Sequence, residues 1–189
     1  VTGPAGRQRL TERDIENVMG KGGPRRDELV IGLLGLQGLR PRQVEWLRLG
    51  DVNVREGLLH VTRPQVSDPL AWPRPEGSTH AFYLASALER ALRGYVRYDR
   101  SAPREPHEPL LFSKPGSARA ITPEQVNHVV RKVSREVRGW LGFEFTVADL
   151  RWSCACNLVE RGVPLDDVTD ALGHENESVT RRFIERGFE

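Results

Sequence analysis

Apolar positions recur with a helical period over most of the chain and with a period near two in one short stretch. Leu29, Ile31, Leu33, Leu34 and Leu36 mark a helix that opens at Pro24 and ends at Gln37-Gly38. Pro41 suits a first helical position, and Val44, Leu47 and Leu49 behind it face a core. Ser86 to Asp99 repeats the pattern through Leu88, Ala91, Leu92 and Tyr95. Three more helices carry explicit start signals, each a side-chain oxygen able to cap free N–H groups. These are Thr11 with Asp14, running to about Met19 and broken by Gly20 to Gly23; Thr122-Pro123-Glu124-Gln125, running to about Arg138; and Thr146 with Asp149, running from Val147 to Arg161 and closed by Gly162. Short helices over Pro164 to Leu172 and Glu175 to Arg186 end the chain.

The period changes after Asp51. Val52 and Val54, a turn at Arg55-Glu56-Gly57, and Leu58 to Val61 read as a β-hairpin. Four prolines between Pro64 and Pro75 make a long connection, and a strand over Thr79 to Leu84 completes a small antiparallel sheet. Ser101 to Gly116 is again proline-rich, with a short strand expected at Leu110 to Phe112. The pattern predicts an α+β, mainly helical domain over residues 11–189, with one small sheet on one side and a flexible leader over residues 1–10.

Composition narrows the picture. A chain of 189 residues with 38% hydrophobic positions closes one substantial core. Two cysteines, Cys154 and Cys156, do not make a disulfide scaffold, so a reducing compartment is the simpler reading. Lying two apart on a helix, they point about 200° apart and read as buried small residues rather than joint metal ligands. No apolar run has the length of a membrane span, and the start, VTGPAGRQRL, lacks the apolar stretch of a signal peptide; a soluble, cytoplasmic protein with no membrane partner is expected. The net charge is only +2, yet 25 of the 28 basic residues are arginines, the lysines being Lys21, Lys114 and Lys132. A codon bias toward arginine accounts for most of them. Nucleic-acid binding needs a basic face rather than a basic total.

Three basic residues stand at telling positions. Arg40 sits at a helix N-terminus, where the macrodipole favours anions, so an arginine there makes sense beside a bound anion; a surface pair with Asp51 or Glu45 is the alternative. Arg151 lies inside a core-like helix between Leu150 and Trp152, and burial there calls for an anionic partner. His174 ends the run Leu172-Gly173-His174. Arg131, Arg135 and Arg138, with His128 and Lys132 alongside, make a basic stripe that either tracks a DNA backbone or is a solvated helix face. His60, His80, His107 and His128 have no metal-ligand spacing.

Order and spacing of these residues resemble the two signatures of the tyrosine recombinase (phage integrase) family. Gly38-Leu39-Arg40, Val44, Leu47, Asp51 and Gly57 are similar to the first; Asp149-Leu150-Arg151, Ala155, Gly162, Val168 and Leu172-Gly173-His174 are similar to the second, and the similarity runs from about Leu10 to Glu189. The resemblance implies a catalytic-domain fold that acts on double-stranded DNA in site-specific recombination and integration. In that chemistry a tyrosine hydroxyl attacks a phosphodiester, two arginines neutralise the charge that builds on the non-bridging oxygens, and a lysine or histidine protonates the departing oxygen. No metal or other cofactor is required. On this resemblance Arg40 and Arg151 form the clamp and His174 holds the phosphate. Self-association through the C-terminal segment is implied too, because family members exchange it with a neighbour.

The departures are as informative. Nine residues after His174, where the family has its nucleophilic tyrosine, stands Phe183, whose ring has no hydroxyl. Ala148 replaces the family histidine three residues before Arg151, Trp152 replaces a second histidine, and Gln43 stands where glutamate is usual. The hairpin lysine belongs near Pro64 or Gln65, but no lysine occurs from Gly22 to Ser113, and the nearby Arg63 is a poor proton donor at neutral pH. Tyr83, Tyr95 and Tyr98 lie mid-chain, far from the nucleophile's place. An engineered tyrosine-to-phenylalanine trap explains Phe183 but not Ala148, Gln43 and the missing lysine, so natural decay or repurposing of the site is the better account. The expectation is a DNA-binding relative unable to cleave as it stands; the alternatives are an active recombinase with a displaced or replaced tyrosine, and a protein-interaction module on the same scaffold. The separate helical DNA-gripping domain that usually precedes the catalytic one is not expected within these 189 residues, which makes an excised fragment or a stand-alone remnant the two expectations.

Overall fold

The computed structural model describes residues 8–21, 23–62, 79–100, 105–114 and 117–186. Helices α1 (Glu12–Met19), α2 (Arg25–Gly35) and α3 (Pro41–Trp46) lead into a single turn of 3-10 helix, Leu49–Asp51. Three strands follow, β1 (Val52–Asn53), β2 (Leu58–Thr62) and β3 (Thr79–Tyr83). The remainder is α4 (Ser86–Gly94), α5 (Pro123–Leu141), α6 (Val147–Glu160), α7 (Leu165–Leu172) and α8 (Glu177–Arg186).

The cap signals in the sequence act as expected. Thr11 accepts from the Asp14 N–H while Asp14 accepts from the Thr11 N–H, and Thr122 with Gln125 and Thr146 with Asp149 repeat the exchange at α5 and α6. The sheet is antiparallel in the order β1-β2-β3, with Leu59 opposite both Val52 and Phe82. The mainly helical α+β reading with one small sheet therefore holds.

Three local expectations change. The helix from Ser86 does not run to Asp99 as one α-helix: its last turn, Tyr95–Asp99, widens to π geometry. No strand forms at Leu110 to Phe112; Leu110 N–H instead donates to Leu47 O at 2.8 Å, and only isolated bridges join Arg48 to Pro109 and Phe112 to Ala120. Residues 9 and 10 are not leader. Leu10 is fully buried and its N–H donates to Ser153 Oγ at 3.0 Å, while Arg9 reaches Asn157 and Glu160 on α6.

The core sits around α6, which is buried on all sides from Leu150 to Cys156 and packs against α1, α2, α7 and α8. On one side lies the large cluster made from α1 to α5 and the sheet; on the other is a small one of Trp152, Ala155, Cys156, Val168, Leu172 and Phe183. Arg151 stands between them in sequence, with Leu150 in the large cluster and Trp152 in the small one.

Candidate phosphate-holding site

Four chain segments converge on the Arg151 guanidinium. The first is the turn after α2. Leu39 N–H donates to Leu33 O at 3.0 Å, closing the helix, and Gly38 takes φ +68, which a side chain resists. A Cβ there would also lie 2.8 Å from Leu172 Cδ2 and 3.4 Å from Cys154 Sγ. Glycine at this position therefore lets the Gly-Leu-Arg turn press against α6 and α7. Its carbonyl accepts from Arg151 Nε at 2.9 Å. Arg40 is two residues on, its Cα within about 7 Å of that of Gly38.

The second segment is α6 itself. Arg151 is only 7% exposed, and two main-chain carbonyls supply part of the compensation that its burial demands: Gly38 O, and Leu172 O at 3.2 Å from Nη2. One turn earlier on the same face, Ala148 is half-buried and carries no proton-transfer group. One turn later on that face, Cys154 is buried against the Gly38 turn, and burial pushes its thiol up to about 12; Cys156 is buried as well, so both are small core residues.

The third and fourth are α7 and α8. Helix α7 ends at Gly173 in the left-handed conformation, φ 65, which turns the chain so that His174 N–H donates back to Thr169 O at 3.0 Å. His174 is thereby buried, 2% exposed, and its Nδ1 lies 2.9 Å from Thr180 Oγ1 on α8. Phe183, one turn further along α8, is 2% exposed. Its ring meets the His174 imidazole edge to face, with centroids 5.2 Å apart, and lies 5.9 Å from the Arg151 guanidinium carbon. Trp152 pins the same helix by donating from Nε1 to Ile184 O at 2.9 Å.

The structure thus packs Phe183 against His174 on one side and Arg151 on the other, and Arg40 stands two residues beyond the Gly38 carbonyl to which Arg151 donates. Gln43 serves locally: its Oε1 accepts the Arg40 N–H at 2.6 Å and caps α3, and its amide lies against Gly173. Each of the two carboxylates considered as partners for Arg40 also accepts from another residue. Glu45 accepts from Arg42 at 3.0 Å, and Asp51 accepts the Arg48 N–H at 2.7 Å.

Arg131 and Arg135 are not part of this cluster. Both are exposed on α5, in the stretch where Lys132 pairs with Asp27 in the first turn of α2 at 3.1 Å. Gly38 lies beyond the other end of α2, about 16 Å away along its axis. Arg138, the third member of the stripe, pairs with Glu144 at 3.0 Å. The hairpin-lysine position at Pro64 or Gln65, with Arg63, lies outside the described residues. Among the described residues no group of three or more His, Cys, Asp or Glu side chains is placed to hold a metal ion, and no helix is long and apolar enough to cross a membrane.

Two participants escaped the sequence reading, Thr169 and Thr180. Both are buried, and their hydroxyls lie 2.7 Å apart. The available signal was Thr180 three residues before Phe183, a hydroxyl on the buried face of α8.

Sequence and structural comparisons agree with this fold. The chain is 26% identical over 174 residues to "Tyrosine recombinase XerA" of Pyrococcus horikoshii, covering 91% of this chain and 54% of that protein. It is 25% identical over 174 residues to "Transposase A from transposon Tn554" of Staphylococcus aureus, covering 90% of this chain and 46% of that one. The chain therefore spans about half the length of these relatives. Among solved structures, XerA recombinase superposes with a TM-score of 0.72 over 96% of this chain and 61% of its own, at 16% identity. XerH site-specific recombinase bound to difH substrate, a pre-cleavage complex, gives 0.65 over 94% and 50%, at 18% identity. The model of the phage integrase family matches residues 8–189, a span that takes in the Gly38 turn, Arg151, His174 and Phe183, and the chain belongs to that family.

Proposed function

We propose that this chain holds a DNA phosphodiester between Arg40, Arg151 and His174 without cleaving it, as a DNA-binding or regulatory relative of the recombinase catalytic domain. The observation that carries the reading is the Phe183 ring, packed edge-on to His174 and beside Arg151 at the family's nucleophile position. Guanidinium and imidazole groups suit a phosphate oxygen, since charge-assisted hydrogen bonds are the strong ones. A phenyl ring offers no oxygen to attack phosphorus, and Ala148 offers no proton. General acid–base groups contribute about 100-fold to 10,000-fold each, so their loss together with the nucleophile removes the route to strand cleavage. Duplex DNA is thus the partner, self-association through the C-terminal segment accompanies it, and the protein is cytoplasmic and on the nucleoid when DNA-bound.

Two measurements test this. In a gel-shift series the protein binds duplex DNA at low salt and loses affinity steeply as salt rises; no affinity at low salt overturns the DNA assignment. On a nicked suicide substrate the chain forms no covalent protein–DNA adduct, whereas an adduct would overturn the non-cleaving assignment. Restoring both functions with Phe183→Tyr and Ala148→His, on the same substrate, measures how much of the catalytic geometry survives.

A further inference from the structure

A chain of hydroxyl groups runs through the buried junction of α7 and α8 and ends on His174. Thr169 Oγ1 donates to Leu165 O at 2.7 Å, a bond to the carbonyl one turn back on α7. Thr169 Oγ1 lies 2.7 Å from Thr180 Oγ1, which lies 2.9 Å from His174 Nδ1. All three side chains are buried: His174 is 2% exposed, Thr169 5% and Thr180 0%.

Counting protons fixes every direction in the chain. A hydroxyl has one proton to give. That of Thr169 goes to Leu165 O, so Thr169 Oγ1 accepts from Thr180. The Thr180 proton is then spent, so Thr180 Oγ1 accepts from His174, and Nδ1 must carry a proton. The opposite arrangement would leave two buried oxygens facing each other at 2.7 Å with no proton between them.

We propose that Thr169 and Thr180 are positioning residues that hold His174 in the tautomer protonated at Nδ1. Thr169 acts twice, since its carbonyl also takes the His174 N–H at 3.0 Å and sets where the ring starts. With Nδ1 committed, the lone pair of the neutral ring sits on Nε2. The ring then donates from Nε2 only after gaining a second proton, so His174 serves a phosphate oxygen as an imidazolium and accepts a proton as a neutral ring. The tautomer stands on hydrogen-bond geometry alone; only the consequence for a phosphate rests on the function proposed above.

Long-range proton–nitrogen correlation spectra of the full chain without DNA, recorded where the ring is neutral, read the tautomer directly. His174 is identified by the signal lost in His174→Gln. The wild type is expected to show a protonated Nδ1 and an unprotonated Nε2. Thr180→Val removes the acceptor, and Thr169→Val frees the Thr180 hydroxyl to donate to Nδ1, so both shift the ring toward protonation at Nε2; Thr180→Ser retains the wild-type pattern. A wild-type ring protonated at Nε2, or valine variants that leave the pattern unchanged, would overturn the assignment. The wild-type spectrum is decisive even if a valine variant fails to fold. Because no DNA is present, a negative gel shift leaves this result intact.

Discussion

Arginine occurs in two very different settings in this molecule, and the contrast separates what builds a site from what decorates a surface. Arg151 is buried, aimed by the carbonyls of Gly38 and Leu172 and overlain by Phe183. Arg131 and Arg135 stand exposed on α5, where the neighbouring Lys132 and Arg138 are matched to Asp27 and Glu144. The side chain is the same, but the first setting fixes direction and removes water, while the second leaves a mobile charge in high dielectric. Interactions among surface charges of the second kind contribute roughly 0–1 kcal/mol to stability. A buried donor whose partners are themselves buried contributes far more, because removing it strands them.

Two substitutions at the buried end probe that difference. Arg151→Ala leaves the carbonyls of Gly38 and Leu172 without this donor, at about 1–3 kcal/mol each, and a total loss of about 3 kcal/mol in urea unfolding is expected. A loss below about 0.5 kcal/mol would mean that Arg151 is no better integrated than the α5 stripe. Gly38→Ala touches no charge, yet it forces a side chain into the left-handed conformation at φ +68 and to within 2.8 Å of Leu172 Cδ2. The backbone term alone costs roughly 1–2 kcal/mol, and the methyl contact adds to it, so about 2 kcal/mol is expected. The same change shifts the carbonyl that aims Arg151, so DNA affinity falls with stability; if stability drops and affinity does not, the Gly-Leu-Arg turn supports the fold without aiming the guanidinium.

The sequence carried most of this fold because its signals are local. Capping boxes at Thr11, Thr122 and Thr146, and the period change at Val52, depend only on neighbours along the chain. Arg40, Arg151, His174 and Phe183 were legible through their resemblance to the family signatures, and the structure gathers the last three from three segments. Features set by tertiary contact were not. Whether Leu110 to Phe112 becomes a strand depends on the segment after α3, which meets it through the Leu110 N–H to Leu47 O bond and an isolated bridge at the preceding Pro109 rather than a ladder. Leu10 looks like part of a polar leader until Ser153 and α6 are packed beside it. Thr169 and Thr180 read as ordinary helix positions, since the proton order that ties them to His174 exists only once α7 and α8 are side by side.

The smallest expected effect falls on the stripe and tests the comparison from its other end. Arg131→Ala combined with Arg135→Ala removes two exposed charges from α5, and surface changes of this kind stay within about 0.5 kcal/mol of wild-type stability. If the stripe follows a DNA backbone, each lost phosphate contact lowers the slope of log affinity against log salt by about 0.9, so the double variant loses about 1.8. An unchanged slope makes the stripe a solvated helix face and leaves DNA holding to the buried cluster alone. A stability loss above about 1 kcal/mol would erase the distinction itself, because the exposed arginines would then be part of the fold as Arg151 is. Measured beside Arg151→Ala, the pair separates two ways of losing affinity: through the salt slope at intact stability, or through the disassembly of a buried site.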